Sequence, residues 1–215
     1  MKKNISLLKT TLTLISLTLS CLVGHAYEFD SDGVRYSTNI DNSTVTALHT
    51  TYSDYKDLLV VPANVTYNGK SYKVIKVGNS SSYWQAHNIV LSEGIEEIGE
   101  EAFELTYQIK TIDLPRSINK IGEYAFHGEY VDHECDDNYL PQEIFFRGIN
   151  GLMNCEGQSA LDLFGVLCFN TKIYIPKGEK QVLPLSIVNE IKYLYEIDYD
   201  TYVPLVREGV QWVHF

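Results

Sequence analysis

Ile89-Val90-Leu91-Ser92-Glu93-Gly94-Ile95-Glu96-Glu97-Ile98-Gly99-Glu100-Glu101-Ala102-Phe103 is followed, 23 residues on, by Ile112-Asp113-Leu114-Pro115-Arg116-Ser117-Ile118-Asn119-Lys120-Ile121-Gly122-Glu123-Tyr124-Ala125-Phe126. Ile89, Leu91, Ile95, Ile98, Gly99, Ala102 and Phe103 each meet an identical residue in the second copy. Seven apolar or glycine identities at one offset mark an internal repeat, and a period of this length belongs to stacked architectures. In I-x-L-P, alternate apolar side chains face one side of a short strand and the residue between them faces the other. The proline, or Ser92, ends the strand where a missing N–H costs little. I-x-x-I-G sends two more apolar side chains inward and turns the chain at glycine. Ala-Phe closes the unit with a ring. A single unit cannot cover its own apolar edge, so units must stack.

Weaker copies flank the clear ones. Leu59-Val60-Val61-Pro62-Ala63-Asn64-Val65 matches the strand half, and Val74-Ile75-Lys76-Val77-Gly78 matches the second half. Between them Asn68-Gly69, set between Tyr67 and Tyr72, predicts a tight hairpin. Ile144-Phe145-Phe146 and Ile173-Tyr174-Ile175-Pro176 repeat the strand downstream, with loops inserted before each. After Gly78 the Ala-Phe plug is missing, and Tyr83 or Trp84 is expected to fill its space. Residues 127–141 carry an insertion of nine residues, and 149–170 is too irregular to assign a repeat unit.

The run I-x-L-P-x-x-I-x-x-I-G-x-x-A-F resembles the BspA-like, or Treponema pallidum-type, leucine-rich repeat of exported bacterial surface proteins. Tyr27-Glu28-Phe29 through Val34-Arg35-Tyr36 resembles that family's leading hairpin, Val61-Pro62 through Val74 its entry segment, and Tyr174-Ile175-Pro176-Lys177-Gly178 its closing unit. The resemblance covers 27–198. It implies a β-rich, short right-handed leucine-rich-repeat solenoid of about five units. A β N-terminal cap and entry repeat (27–78), repeats (79–176) and a small helical C-terminal cap (177–198) would make it up. The tail, 199–215, resembles the start of a further domain.

Residues 1–26 have the layout of a secretory signal peptide: Lys2, Lys3 and Lys9 first, an apolar and Ser/Thr stretch from Leu12 to Val23, then Gly24-His25-Ala26. That stretch is shorter than the roughly 20 residues a membrane span needs. A retained anchor and lipidation at Cys21 are the other readings. No second long apolar run follows, so no integral span is expected after cleavage. The 215-residue chain has 17 basic and 28 acidic residues and a net charge of −11; removing three lysines takes the mature chain to −14. Such a surface repels nucleic acid, whose phosphates need Lys and Arg. Cys135, Cys155 and Cys168 then remain, which allows one disulfide and a free thiol, or no disulfide.

No catalytic motif is present: no G-x-S-x-G, P-loop or G-x-G-x-x-G, and no local Cys–His signature. His127, Asp132, His133, Glu134, Cys135, Asp136 and Asp137 crowd the inserted loop, but their spacing matches no zinc or calcium pattern. Glu96, Glu97, Glu100 and Glu101 read as a solvated side, and most of the sixteen tyrosines as β-propensity. No catalytic, cofactor or metal site is expected. The residues that remain are the middle ones of each strand, Val60, Val90, Asp113, Phe145 and Tyr174, which should line one shared surface. Their mixed chemistry suits a protein, by resemblance a host matrix or envelope component. The alternatives are a spacer domain of a truncated larger exported protein and, less favoured, a hydrolase with an unrecognised site.

Overall fold

The computed structural model describes residues 26–80, 82–104, 109–127, 141–155, 159–165 and 171–200. Nearly all of the expected leader, the core of the inserted loop at 128–140 and the tail from 201 lie outside them. The chain opens with an antiparallel pair, β1 (Glu28–Ser31) and β2 (Val34–Thr38), joined at Asp32-Gly33. β3 (Thr44–Thr50), β4 (Lys56–Val61), β5 (Asn64–Tyr67) and β6 (Lys70–Val77) follow. The β5–β6 turn falls at Asn68-Gly69, whose φ angles of 50° and 77° are the left-handed pair a two-residue hairpin needs. The repeats supply β7 (Ala86–Leu91), β8 (Glu97–Ile98), β9 (Thr111–Leu114), β10 (Lys120–Ile121), β11 (Glu143–Phe146) and β12 (Lys172–Pro176), and β13 (Leu194–Ile197) ends the series.

These strands form two sheets. The first runs β1-β2-β3-β6-β8-β10, with β5 also on β6, and is parallel from β3 onward. The second runs β13-β12-β11-β9-β7-β4 and is parallel throughout. Each I-x-L segment enters the second sheet and each I-G step the first. A continuous apolar core fills the space between, with Ile89, Leu91, Ile95, Ile98, Ile112, Leu114, Ile118, Ile121, Ile144 and Ile173 among its members. The repeat glycine is required by contact: a Cβ on Gly99 would sit 2.2 Å from the Gly78 carbonyl oxygen, and one on Gly122 2.4 Å from the Glu100 nitrogen. Successive backbones approach too closely for any side chain.

The closing rings form a column. Phe103 and Phe126 stack at 5.5 Å and 5°, and Phe126 and Phe164 at 5.5 Å and 15°. Trp84 extends the column over Phe103 at 5.7 Å, and its indole N–H donates to the Ala102 carbonyl at 2.8 Å. Of the two residues expected to replace the missing plug, Trp84 does so, while Tyr83 is exposed. The irregular stretch also finds its place. After β11 come helices α1 (Asn150–Met153) and α2 (Ala160–Phe164), the latter begun by a reciprocal Ser159–Asp162 capping box. The Phe126 N–H donates to Leu163, as the Phe103 N–H does to Ala125. Leu163-Phe164 therefore succeeds Ala125-Phe126, delivered by a helix instead of a turn. After β12 a single 3-10 turn (Lys180–Val182) and helix α3 (Leu185–Val188) lead into β13.

Candidate functional site

The middle residues of the second-sheet strands stand in one register. Val60 pairs with Val90, Val90 with Asp113, Asp113 with Phe145, and Phe145 with Tyr174. The row continues to Tyr195 through β13, a strand the repeat pattern did not announce, although Leu194-Tyr195-Glu196-Ile197 carries the same alternation. None of the six belongs to the core, whereas their flanking residues Leu59, Ile89, Ile112, Ile144 and Ile173 do. They face away from it, as period-two alternation requires.

The row is not uniform. At its two ends Val60 and Tyr195 are 47% and 43% exposed, while in the middle Asp113 and Phe145 are 4% and 5% exposed. Phe145 and Tyr174 stack at 4.6 Å with rings 6° from parallel, and Tyr174 and Tyr195 at 5.5 Å and 28°. Parallel in-register pairing puts identical positions about 4.8 Å apart, close to ring-stacking distance. The aromatic half is thus a direct consequence of strand register.

Asp113 is held by Arg147, the residue after β11, through two bonds: Nε to Oδ1 at 2.7 Å and Nη2 to Oδ2 at 2.6 Å. The two residues lie 34 apart in sequence, so no local pattern links them. Burial pushes the Asp113 carboxyl above its ordinary value, and the Arg147 guanidinium only partly offsets this. The same bonds hold Arg147 above its own ordinary value, against its burial. The Arg147 guanidinium also lies 5.4 Å from the centre of the Tyr199 ring. Beside the row, Glu143 accepts from Tyr174 OH at 3.1 Å and pairs with Lys172 at 3.3 Å, and Thr111 donates to Asn88 at 2.8 Å. Valine at one end, a bidentate ion pair at the centre and stacked aromatic rings at the other end make a surface suited to contact. No nucleophile stands beside a base on it.

The other constellations have structural employment. Glu97 sits between Lys76 (2.7 Å) and Lys120 (3.1 Å), in register across β6, β8 and β10, and Glu96 pairs with Lys73 at 2.6 Å. Burial alone would raise Glu97, but its two lysines outweigh that and hold it below its ordinary value. Cys155 is a free, half-buried thiol pushed up to about 11 by burial, a poor nucleophile at neutral pH. His127 faces Glu104 at 3.6 Å, and the rest of its acidic loop lies outside the described residues, as do Cys135 and Cys168. Among the described residues, no group of three or more His, Cys, Asp or Glu is placed to hold a metal, and no helix is long and apolar enough to cross a membrane.

A stacked parallel sheet, a repeating glycine contact and a column of closing rings are the marks of a repeat protein. The BspA type leucine rich repeat region matches residues 64–132 and 80–174, in six copies. Together these spans cover just over half of the chain, which belongs to this family. Among solved structures, a leucine-rich repeat protein from Bacteroides capillosus is similar at 17% identity and TM-score 0.49, over 79% of this chain and 98% of its own. A leucine rich cell surface protein from Faecalibacterium prausnitzii is similar at 15% identity and TM-score 0.44, over 80% of this chain and 51% of its own. The T. pallidum leucine rich repeat protein is similar at 13% identity and TM-score 0.35, over 80% and 84%. No curated protein matches the chain.

Proposed function

We propose that this is an exported, non-catalytic protein-binding module of the bacterial envelope, acting through the outward row Val60, Val90, Asp113, Phe145, Tyr174 and Tyr195. The supporting observation is that row itself: six strands bring the six side chains into one line, and half of it is a stack of aromatic rings. Tyrosine supplies large contact area and a hydroxyl at low entropy cost, and aromatic residues are enriched in the centres of interfaces. Membership of a repeat family that is generally non-catalytic supports the same reading, as do the inert environment of Cys155 and the ion-paired glutamates.

In this proposal the chain is a short right-handed solenoid. Residues 27–78 form its N-terminal cap and entry repeat, 79–176 its repeats and 177–198 its C-terminal cap, after removal of 1–26 at export. Residues 199–215 would begin a further domain of a longer protein. Binding is tested by presenting the mature chain to host matrix proteins and to envelope fractions. Capture of a defined partner, lost in a Val60→Asp/Tyr195→Ser double variant that still folds, is the expected result. A clean negative in both fractions overturns the binding reading and favours a spacer.

A further inference from the structure

We infer that the outward face of the first sheet carries a second, separate site: an open groove over β3 and β6 that takes a neutral saccharide ring. The groove lies on the other sheet from the row described above, and it stands whether or not that row binds a partner.

Three observations carry it. The first is the groove itself, about 500 Å³ in volume and lined by Ile40, Asp41, Thr46, Ile75, Lys76 and Glu97 among others, a size that suits a small ligand. Ala26 also borders it, and its loss with the leader removes no polar side chain. The second is the origin of the apolar walls. β6 carries a bulge: Val45 pairs with Val74 and Thr46 with Lys76, which leaves Ile75 as an extra residue between them. Val74 and Val77 stay in the core, while Ile75 and Lys76 both line the groove. Bulges re-aim side chains in this way beside functional sites. Ile40 is 86% exposed on a turn that is firmly held. The Asn39 Nδ2 donates to Thr44 Oγ1 at 2.8 Å, Thr46 Oγ1 donates to Asn39 Oδ1 at 3.2 Å, and Asp41 Oδ1 accepts from the Ser43 and Thr44 N–H groups at 2.8 and 2.9 Å. The third is unused hydrogen-bonding capacity. Lys76 and Lys120 both bind Glu97 Oε1, so Glu97 Oε2 is open among the described residues. Asp41 Oδ2 accepts only the Thr44 hydroxyl there, at 2.8 Å. The Lys76 ammonium keeps further N–H donors and the Thr46 hydroxyl a lone pair.

Open acceptors, open donors and two isoleucines in one groove match a sugar ring. Its hydroxyls both donate and accept, and its C–H face covers the isoleucines. Charge selects a neutral ring. Asp41 and Glu97 stand against Lys76 and against the α-ammonium that removal of 1–26 leaves on Tyr27, whose N–H already donates to Thr38 Oγ1 in the groove wall at 2.9 Å. A peptide strand is the poorer fit, because such strands add to sheet edges. Here β3 is paired with β2 and β6, and β6 with β3, β5 and β8.

The test is a nitrogen-15 NMR titration of the mature chain with the methyl glycosides of glucose, galactose, mannose and N-acetylglucosamine. Glucuronate and glucosamine serve as the charged counterparts. At least one neutral glycoside should shift the amides of Ile40, Asp41, Thr46 and Lys76 saturably, with a dissociation constant of about 1–5 mM, as suits so small a ligand in an open groove. Ile40→Ser and Glu97→Gln, both on the surface, should each weaken that binding at least about threefold. The Val60→Asp/Tyr195→Ser chain should bind the glycoside unchanged, so that groove and row fail separately. Two sources share this chemistry, and both support the site: a preference for the methyl glycoside over the free reducing sugar assigns it to a glycan end, and the reverse to a free sugar. The inference is overturned by the absence of saturable shifts with every neutral glycoside, or by shifts confined to other residues. Tighter binding of glucuronate or glucosamine overturns it too, as does binding that ignores both substitutions.

Discussion

The regular unit 89–103 and the irregular unit 143–164 reach the same endpoint by different routes. The first turns from strand to ring through a two-residue strand, a contact glycine and a short turn. The second replaces these with two short helices and takes 22 residues where the first takes 15. Both place a phenylalanine on one column, about 5.5 Å from its neighbour. The difference shows where the constraint lies. The stack dictates the position of the ring, because an unfilled slot would leave a cavity between Phe126 and whatever follows, and cavities are costly. The length and type of the chain leading to it are free to vary.

Substitutions in the column test that equivalence most severely. Phe126→Ala should cost about 3–5 kcal/mol in denaturant unfolding, since Phe126 is fully buried between two stacked partners and edge-on to Phe146. Phe164→Ala, in the irregular unit, should cost a similar amount, about 3–4 kcal/mol. A loss near 1 kcal/mol for Phe164 would break the comparison and show that the helical route only leans on the stack.

Arg147→Met is next. Arg147 comes from the irregular unit and Asp113 from a regular one, so their pair joins the two. Asp113 would stay buried without its partner, at a cost of about 2–3 kcal/mol, moderated because the Arg147 side chain is 34% exposed. The pH dependence has a definite sign. The folded Asp113 carboxyl is raised, so the folded state binds the proton more readily than the unfolded chain does. Stability at this site rises as pH falls through the raised value and is lost as pH rises through it. Unfolding midpoints of the variant at pH 5 and pH 7.5 should differ more, in that direction, than those of the parent.

The glycines give a smaller contrast. A Cβ on Gly99 meets backbone at 2.2 Å, whereas one on Gly151 in α1 meets the Ile118 and Ile121 side chains at 2.9–3.0 Å. Gly99→Ala should cost about 2–3 kcal/mol and Gly151→Ala about 1 kcal/mol. Equal costs in thermal melts would mean that the two walls are equally stiff. Least affected is Glu97→Gln, expected under about 1 kcal/mol at neutral pH because the lysine-flanked carboxylate is partly solvated. Glu97 is lowered in the fold. Its contribution is therefore present above the ordinary carboxylate range and vanishes as pH falls through the folded value, so variant and parent should converge in acid.

Much of this was readable from residue order. The 23-residue period names the ring positions Phe103 and Phe126, the glycines Gly99 and Gly122 and the strand middles Val90 and Asp113, and weaker copies of the strand motif at irregular spacing add Val60, Phe145 and Tyr174. Periodic neighbours are local facts, because parallel strands in register copy a sequence offset into space. Asn68-Gly69 was equally legible, since φ above zero at both turn positions selects those residue types. β3 and β13 were not, because neither carries the repeat's proline or glycine punctuation.

Sequence by itself determined the family, the repeat, the alternation that separates core from surface and the line on which the candidate binding residues fall. Only tertiary structure decided that Trp84, and not Tyr83, fills the vacant slot, and that Phe164 closes the irregular unit from a helix. It also decided that Arg147 clamps Asp113 and that the centre of the outward row is buried while its ends are open. Each of those outcomes depends on residues 18–38 apart meeting in space. Periodicity encodes which residues repeat; which of several candidates fits a given cavity, and which charge finds its counter-ion across strands, is settled by volume and distance when the strands stack.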